Sequence, residues 1–262
     1  MEGIPRHAKR RSRRRIGLAG AAVLAVAVAV PVTWTAACAD TENGRAYFYD
    51  PVTGPGNCSL PASGRLFVSV AAGEYAGSAA CGGYLDVTGP RGTVRVQVVD
   101  QCTKCRKGDL DLSRPAFSKI AEPEQGVARV VYDRVRNPEV ARPLAFRVKA
   151  GSSIYWLAVQ VLDHGNPLRT VRIRDGAHWR DLRRGGDNYW VFEHSPGEGP
   201  FTIKVTDVFG QHATASGVDL APGRVQRTTK RLYGESAVTP VTQHALPAPP
   251  TPIPPPRSPM FC

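Results

Sequence analysis

The 262-residue chain is 42% hydrophobic and carries 26 Gly and 23 Pro. That apolar share excludes a wholly disordered chain, and the abundance of Gly and Pro argues against a helical bundle and for a turn-rich β protein. The formal net charge is +12, yet half of it lies in residues 1–37, whose seven Arg or Lys and single Glu give +6.

The basic start has a recognisable order. Residues 6–15 hold the seven cations, and an uncharged stretch rich in Ala, Val and Leu runs from Ile16 to about Trp34. Ala37-Cys38-Ala39 then offers the small-x-small pattern of a cleavage site, so residues 1–39 read as an export signal and the protein as secreted. The apolar stretch is also about as long as a marginal membrane span, which makes an uncleaved membrane anchor the alternative. Export argues against nucleic acid as a partner. Residues 40–137 carry 12 basic and 11 acidic groups, and residues 138–234 carry 14 and 9. The basic second half suits loose association with anionic polymers such as pectin or peptidoglycan.

Cys58, Cys81, Cys102 and Cys105 fall in the first half of the mature chain, with Cys38 and Cys262 near the ends. In an exported protein the four are disulfide candidates, and four cysteines allow three pairings among which the sequence does not choose. Cys102-Thr103-Lys104-Cys105 has the spacing of a redox or zinc motif. No second CxxC or His pair completes a metal tetrad, and no metal or other cofactor is assigned.

Short β-rich runs at Leu66–Val70, Tyr84–Val87 and Thr93–Val99 alternate with turn signals such as Gly82-Gly83 and Gly89-Pro90. Val94, Val96 and Val98 alternate with Arg95 and Gln97, the period of a half-buried strand. That parity places Asp100 with the inward-facing valines, at the rim of a barrel. Asp109 and Asp111 share one face of a short extended segment, with Leu110 and Leu112 on the other. Ser113 is a suitable N-cap for one helix, with Pro115 in its first turn and Ala116, Phe117 and Ile120 on its apolar side. The first domain is taken as residues 40–137.

After a junction with Pro138 and Pro143, further runs follow at Phe146–Lys149, Tyr155–Leu162, Thr170–Arg174, Tyr189–Phe192, Phe201–Val205 and Ala213–Val218. Six or so short strands over residues 138–234 fit an antiparallel β-sandwich. Parity along Tyr155–Leu162 puts Tyr155 with the core residues Leu157, Val159 and Val161. It puts Trp156 on the opposite, exposed face. Trp179 and Trp190 read as core residues. Residues 235–262 are Pro-rich and are predicted to be extended or disordered.

Two segments carry a family likeness. Ala80-Cys81-Gly82-Gly83-Tyr84-Leu85-Asp86-Val87 and Val98-Val99-Asp100-Gln101-Cys102, followed by Gly108-Asp109-Leu110-Asp111-Leu112-Ser113, resemble the double-psi β-barrel of bacterial expansins. Phe146-Arg147-Val148-Lys149 through Tyr155-Trp156-Leu157 resembles their carbohydrate-binding domain. The resemblance implies a mainly β fold, a six-stranded double-psi β-barrel related to barwin and family-45 glycoside hydrolases, followed by an immunoglobulin-like β-sandwich. It implies a monomer that binds cellulose and other cell-wall polysaccharides and loosens the wall without hydrolysis.

The same resemblance suggests site residues. Asp111 corresponds to the essential groove acid and Asp100 to a second groove carboxylate. Tyr47 and Tyr49 fall where expansins carry a Thr and an aromatic. Asp50 lies near the base of family-45 hydrolases, although Asp50-Pro51 is also an ordinary turn start. Cys102 replaces an aromatic groove residue of some relatives. In the second domain Tyr155 and Trp156 correspond to stacking aromatics, a third falls at Asn188 by ungapped counting or at Tyr189 with a one-residue shift, and Lys149 corresponds to a basic residue beside them. Glycoside hydrolysis needs two carboxyl groups, so a weak endoglucanase or lytic glycosidase with Asp111 as acid and Asp50 as base is the enzymatic alternative. A wall-adhesion module without further activity is the other.

Overall fold

The computed structural model describes residues 41–50, 54–60 and 66–247. The export signal, Cys38, Cys262 and the Pro-rich run from Ala248 lie outside the described residues.

Strands β1 (Glu42–Tyr49), β2 (Phe67–Ala71), β3 (Tyr84–Gly89), β4 (Gly92–Cys102), β5 (Leu110–Ser113) and β6 (Ala128–Arg134) close into a barrel in the order β1-β5-β2-β4-β3-β6. β1 runs parallel to β5 and β2 parallel to β4, and the other neighbours are antiparallel. The parity read from the sequence holds for the interior: Val68, Val70, Val94, Val96, Leu110 and Leu112 are all buried. Each fully buried side chain of this size contributes about 1.5–3 kcal/mol. One short helix, α1 (Ala72–Tyr75), follows β2, and α2 (Arg114–Ile120) plugs the barrel with Ala116, Phe117 and Ile120. Ser113 precedes α2 as foreseen, but its hydroxyl makes no cap hydrogen bond and instead accepts from the Phe67 amide at 3.3 Å.

The second domain is a sandwich. Its strands are β7 (Ala145–Val148), β8 (Leu157–Leu162), β9 (Leu168–Asp175), β10 (His178–Asp181), β11 (Arg183–Arg184), β12 (Trp190–Phe192), β13 (Phe201–Asp207), β14 (His212–Val218) and β15 (Val225–Arg227). They form two antiparallel sheets, β10-β9-β13-β14 and β11-β12-β8-β7-β15. The strands that the sequence did not announce are β10, β11 and β15, short and charged, with too few apolar residues to show an alternation. Phe146, Val159 and Trp190 from one sheet meet Ile173, Ile203 and Val205 from the other in a single core. Trp190 is buried there as expected. Trp179 is not: it lies half-exposed on the edge strand β10 beneath the Arg174 guanidinium.

The outer face of β8 corrects a second expectation. Ala158, Gln160 and Leu162, which share strand parity with Trp156 and its expected exposed face, are buried. They are covered by the barrel, whose apolar cluster takes in Ala145 and Leu162. Polar groups in this contact are paired. Gln160 Nε2 donates to the Cys58 carbonyl at 2.8 Å, Tyr75 Oη to the Gly186 carbonyl at 2.6 Å, and Ser78 Oγ to the Gly185 carbonyl at 2.8 Å. The Arg147 guanidinium donates to the Ser59 carbonyl.

His164 fills the same seam. An added Cβ at Gly82 would fall 2.5 Å from its ring, so only glycine lets the two domains approach this closely, and Gly82 also holds a φ of +74°.

The chain then returns to the barrel. The Arg95 guanidinium, in a bidentate ion pair with buried Asp86, donates to the carbonyls of Thr239 and Pro240 at 2.7 and 2.8 Å. The Thr242 amide donates to Asp86 Oδ2 at 2.8 Å, and His244 pairs with Asp133. Of the segment expected to be extended or disordered from residue 235, Glu235–Ala237 is a short 3-10 turn and residues 239–244 form a strap tied to the barrel.

Candidate functional site

The barrel lays four of its outward residues in one row. Tyr47 on β1 is the register partner of Asp111 on β5. Asp111 is opposite Ser69 on β2, and Ser69 is opposite Asp100 on β4. Register partners point to the same face of a sheet, so Tyr47, Asp111, Ser69 and Asp100 form a continuous outer stripe. Asp100 belongs to it because of an irregularity that sequence parity could not show. Between Val68/Val98 and Ser69/Asp100 the register slips by one residue, a bulge at Val99. A bulge moves every later side chain to the other face. Asp100 therefore points outward beside Asp111, and its assignment to the inward valine set is corrected.

The members of the row differ in environment. Asp111 is half-buried, its Oδ1 is buried without a hydrogen-bond partner, and its carboxyl is pushed above the ordinary range, first by burial and then by the charge of Asp100. Asp100 is occupied: Oδ1 accepts the amides of Asn57 and Gln101 at 2.6 and 2.8 Å. Its carboxyl group also lies against Gly56, where an added Cβ would fall 2.8 Å from Oδ2. Ser69 Oγ donates to Tyr49 Oη at 2.9 Å, which brings Tyr49 beside the row. Asp109 shares the outward face but is taken by Arg45, which contacts both its oxygens at 3.2 and 2.8 Å and holds its carboxyl below the usual range.

Asp50 stands apart from the row. Arg114 grips both its oxygens, at 2.9 and 2.8 Å, and lowers its affinity for a proton. Asp50 lies three residues beyond Tyr47, mostly exposed, on the α2 side of β1.

An open cleft of about 430 Å³ lies at the Tyr47–Asp111 end, lined by Arg45, Tyr47, Cys102, Lys104, Cys105, Arg106, Asp109 and Asp111. The structure settles the pairing of its cysteines. Cys102 bonds Cys105, closing the turn that forms one wall, while Cys58 bonds Cys81. At the other end the phenol of Tyr75 is pushed up to about 12, first by burial and then by the charges of Asp100 and of Asp187 in the second domain. Tyr75 thus connects the row to the neighbouring module.

There the candidate aromatics are disposed unequally. Ser153 and Trp156 exchange backbone hydrogen bonds at 2.8 and 3.2 Å, a tight turn with Ile154 and Tyr155 at its tip. Ser152 Oγ accepts the Ala158 amide at 3.1 Å and anchors this turn. β8 starts only at Leu157, so strand parity does not reach Tyr155. Tyr155 is 72% exposed and not in the core, and Trp156 is half-buried beside it. Tyr189 is only 8% exposed, lying under the Lys149 ammonium 4.9 Å from its ring centre. Lys149 is in turn paired with Asp187 at 2.6 Å. Tyr189 therefore supports Lys149 and offers no open ring face.

Ser69, Tyr75, Arg114 and Ile154 were missed from the sequence. Ser69 alone carried a signal, as the polar residue between Val68 and Val70. Among the described residues no group of His, Cys, Asp and Glu is arranged to hold a metal ion.

Comparison with known proteins assigns the family. Residues 41–132 match a family model described as lytic transglycolase, of the double-psi barrel type. A crystal structure of the Clavibacter michiganensis expansin superimposes with a TM-score of 0.71 at 44% identity, covering 74% of this chain and 98% of that one. The Bacillus subtilis protein Expansin-YoaJ is 30% identical over 171 residues, 64% of this chain and 70% of its own length. The chain belongs to the expansin family. Among expansins, a point mutant of the Clavibacter protein, with the same coverage and TM-score, was crystallised in complex with cellohexaose. This expansin has a mainly β fold of closed barrel and further β sheets, with the barrel row and the Tyr155 turn as its candidate functional surfaces.

Proposed function

We propose that this chain is a secreted wall protein that binds cellulose-type glucan along the barrel row and the Tyr155–Trp156 turn, and loosens it without cutting it. One observation carries the reading: Asp111 is the carboxyl group of the row with an unpartnered buried oxygen, and among the described residues no free carboxylate stands across from it. Glycosidases place acid and base on either side of the scissile bond. Asp50 is locked to Arg114, and Asp100 is occupied by two amides on the same floor of the groove as Asp111. A protonated Asp111 can donate a hydrogen bond to a sugar oxygen. Tyr47 and Tyr155 can cover apolar ring faces. Contacts of this kind compete with those between glucan chains, and no covalent step is required. The cellohexaose complex of the Clavibacter relative supports the choice of ligand.

Titration of isotope-labelled protein with cellohexaose tests the binding part. Resonances of Tyr47, Ser69 and Asp111 move if the groove is the site, and shifts confined to other faces of the molecule would refute it. A second reading, cleavage of a wall glycan, has the description of the matched family model behind it. Soluble fragments released from purified peptidoglycan, and absent with Asp111→Ala, would favour that reading.

A further inference from the structure

The cleft at the Tyr47–Asp111 end is more cationic than a neutral glucan requires. Arg45, Lys104 and Arg106 line it together with Asp109 and Asp111. Arg45 and Asp109 neutralise each other in a two-point ion pair. Burial favours the uncharged form of Asp111. Lys104 and Arg106 are exposed and have no ion-pair partner among the described residues. Other barrel cations are also unpaired, but these two stand on the wall of the cleft that holds Asp111.

Their setting is ordered. The Cys102–Cys105 bond closes the turn that carries Lys104, the Cys105 amide donates to the Cys102 carbonyl at 3.3 Å, and the Asp109 amide donates to the Arg106 carbonyl at 2.9 Å. A cross-linked turn loses less freedom when it binds than a mobile loop does. A guanidinium beside an ammonium suits a carboxylate, since the fork of Arg106 can contact both oxygens while Lys104 adds a point charge.

We propose that the Lys104–Arg106 wall is a subsite for a carboxylate-bearing sugar, so that the groove prefers an acidic glycan over a neutral one of equal length. The proposal rests on the groove being the glycan site. The sugar acid could be the ring carboxylate of a hexuronate or the lactyl carboxylate of a muramic acid residue, and the two are separable by experiment.

Calorimetry on the full mature chain would compare hexagalacturonate, its methyl ester, muramic acid-containing glycan strands and cellohexaose, with wild type and Lys104→Gln/Arg106→Gln. The free acid is expected to bind about tenfold more tightly than the ester. The double variant should lose that advantage and weaken cellohexaose far less than the free acid, as should ~1 M salt. A gain for hexagalacturonate alone assigns a uronate, and an equal gain for the muramic strands assigns the carboxylate in either setting. Equal binding of acid and ester, or an advantage that survives in the double variant, overturns the subsite and locates any acid preference on the basic second domain. If neither cellohexaose nor the acid moves the Tyr47 and Asp111 resonances, the groove reading falls and the subsite with it.

Discussion

Asp111 and Asp100 stand on either side of Ser69, each its register partner on a neighbouring strand, and burial followed by the charge of Asp100 raises the proton affinity of the Asp111 carboxyl. The pair is asymmetric because Asp100 accepts two backbone amides, whereas Asp111 keeps a buried oxygen with no partner. Titration of the Asp111 carboxyl by NMR should show a proton affinity above the ordinary value of 3.8. Asp100→Asn should lower it, with burial still holding it above 3.8.

The same shift has a stability consequence. A carboxyl raised in the folded state contributes most below its unfolded pKa, and the contribution is lost as pH rises through the folded one. Asp111→Asn is therefore expected to raise Tm at neutral pH, with the gain closing below pH 3.8. A loss of Tm at neutral pH would show that the carboxylate is satisfied in the native protein.

His164 gives the opposite sign. It is buried between the domains with its affinity for a proton pushed down to about 4 from 6.5, chiefly by desolvation. Its Nδ1 lies 2.7 Å from the Asn166 carbonyl, so Nδ1 carries the hydrogen and Nε2 is the buried lone pair facing Gly82. The unfolded chain binds this proton below about pH 6.5 and the folded one only below about 4, so stability falls as pH drops through that window. The full effect is on the order of 3 kcal/mol, each pH unit being worth about 1.36 kcal/mol. Denaturant melts at pH 7 and 4.5 should differ less for His164→Gln than for wild type.

Gly82→Ala places a methyl group against that ring and imposes a positive φ on an alanine. A cost of about 2 kcal/mol is expected from strain and overpacking together. Thermal denaturation checks it, and a change within ~0.5 kcal/mol would mean that the domains can part slightly at no cost.

How much of this was legible in the sequence varies residue by residue. Asp111 was, because Leu110 and Leu112 fix the outward side of a short strand. Asp100 was not: one bulged residue, Val99, reverses the parity that Val94–Val98 establish, and a bulge is decided by the partner strand β2. Tyr155 was misread by parity because the Ser152–Ser153 turn takes it out of the strand. The burial of Ala158 and Gln160 depends on the docking of a whole domain, which leaves no periodic mark on β8. The strap at residues 239–244 was hidden by its own composition, since its anchors are the side chains of Asp86 and Arg95 far upstream.

That strap protects a buried ion pair. Arg95→Ala would leave Asp86 uncompensated in the interior, at a cost of about 3–5 kcal/mol. Truncation after residue 238 should cost less, since it removes the covering hydrogen bonds and the His244–Asp133 contact but leaves the Arg95–Asp86 pair in place. Chemical denaturation of the two variants gives the comparison.

In the second domain the tip residue Tyr155 should matter more for cellulose than Tyr189. Tyr155→Ala is expected to weaken pull-down on crystalline cellulose about tenfold, as loss of one open ring face would. Asp111→Ala should leave that binding nearly intact. Equal losses would show that the groove anchors cellulose as strongly as the turn does.

The central claim, a lone acid that loosens glucan without a base, meets its most direct test in extension of a clamped, heat-killed plant wall with reducing ends measured in the bathing solution. The wild-type protein should produce creep with no release above buffer, and Asp111→Ala should abolish the creep. Steady release that disappears with both Asp111→Ala and Asp50→Ala would contradict it.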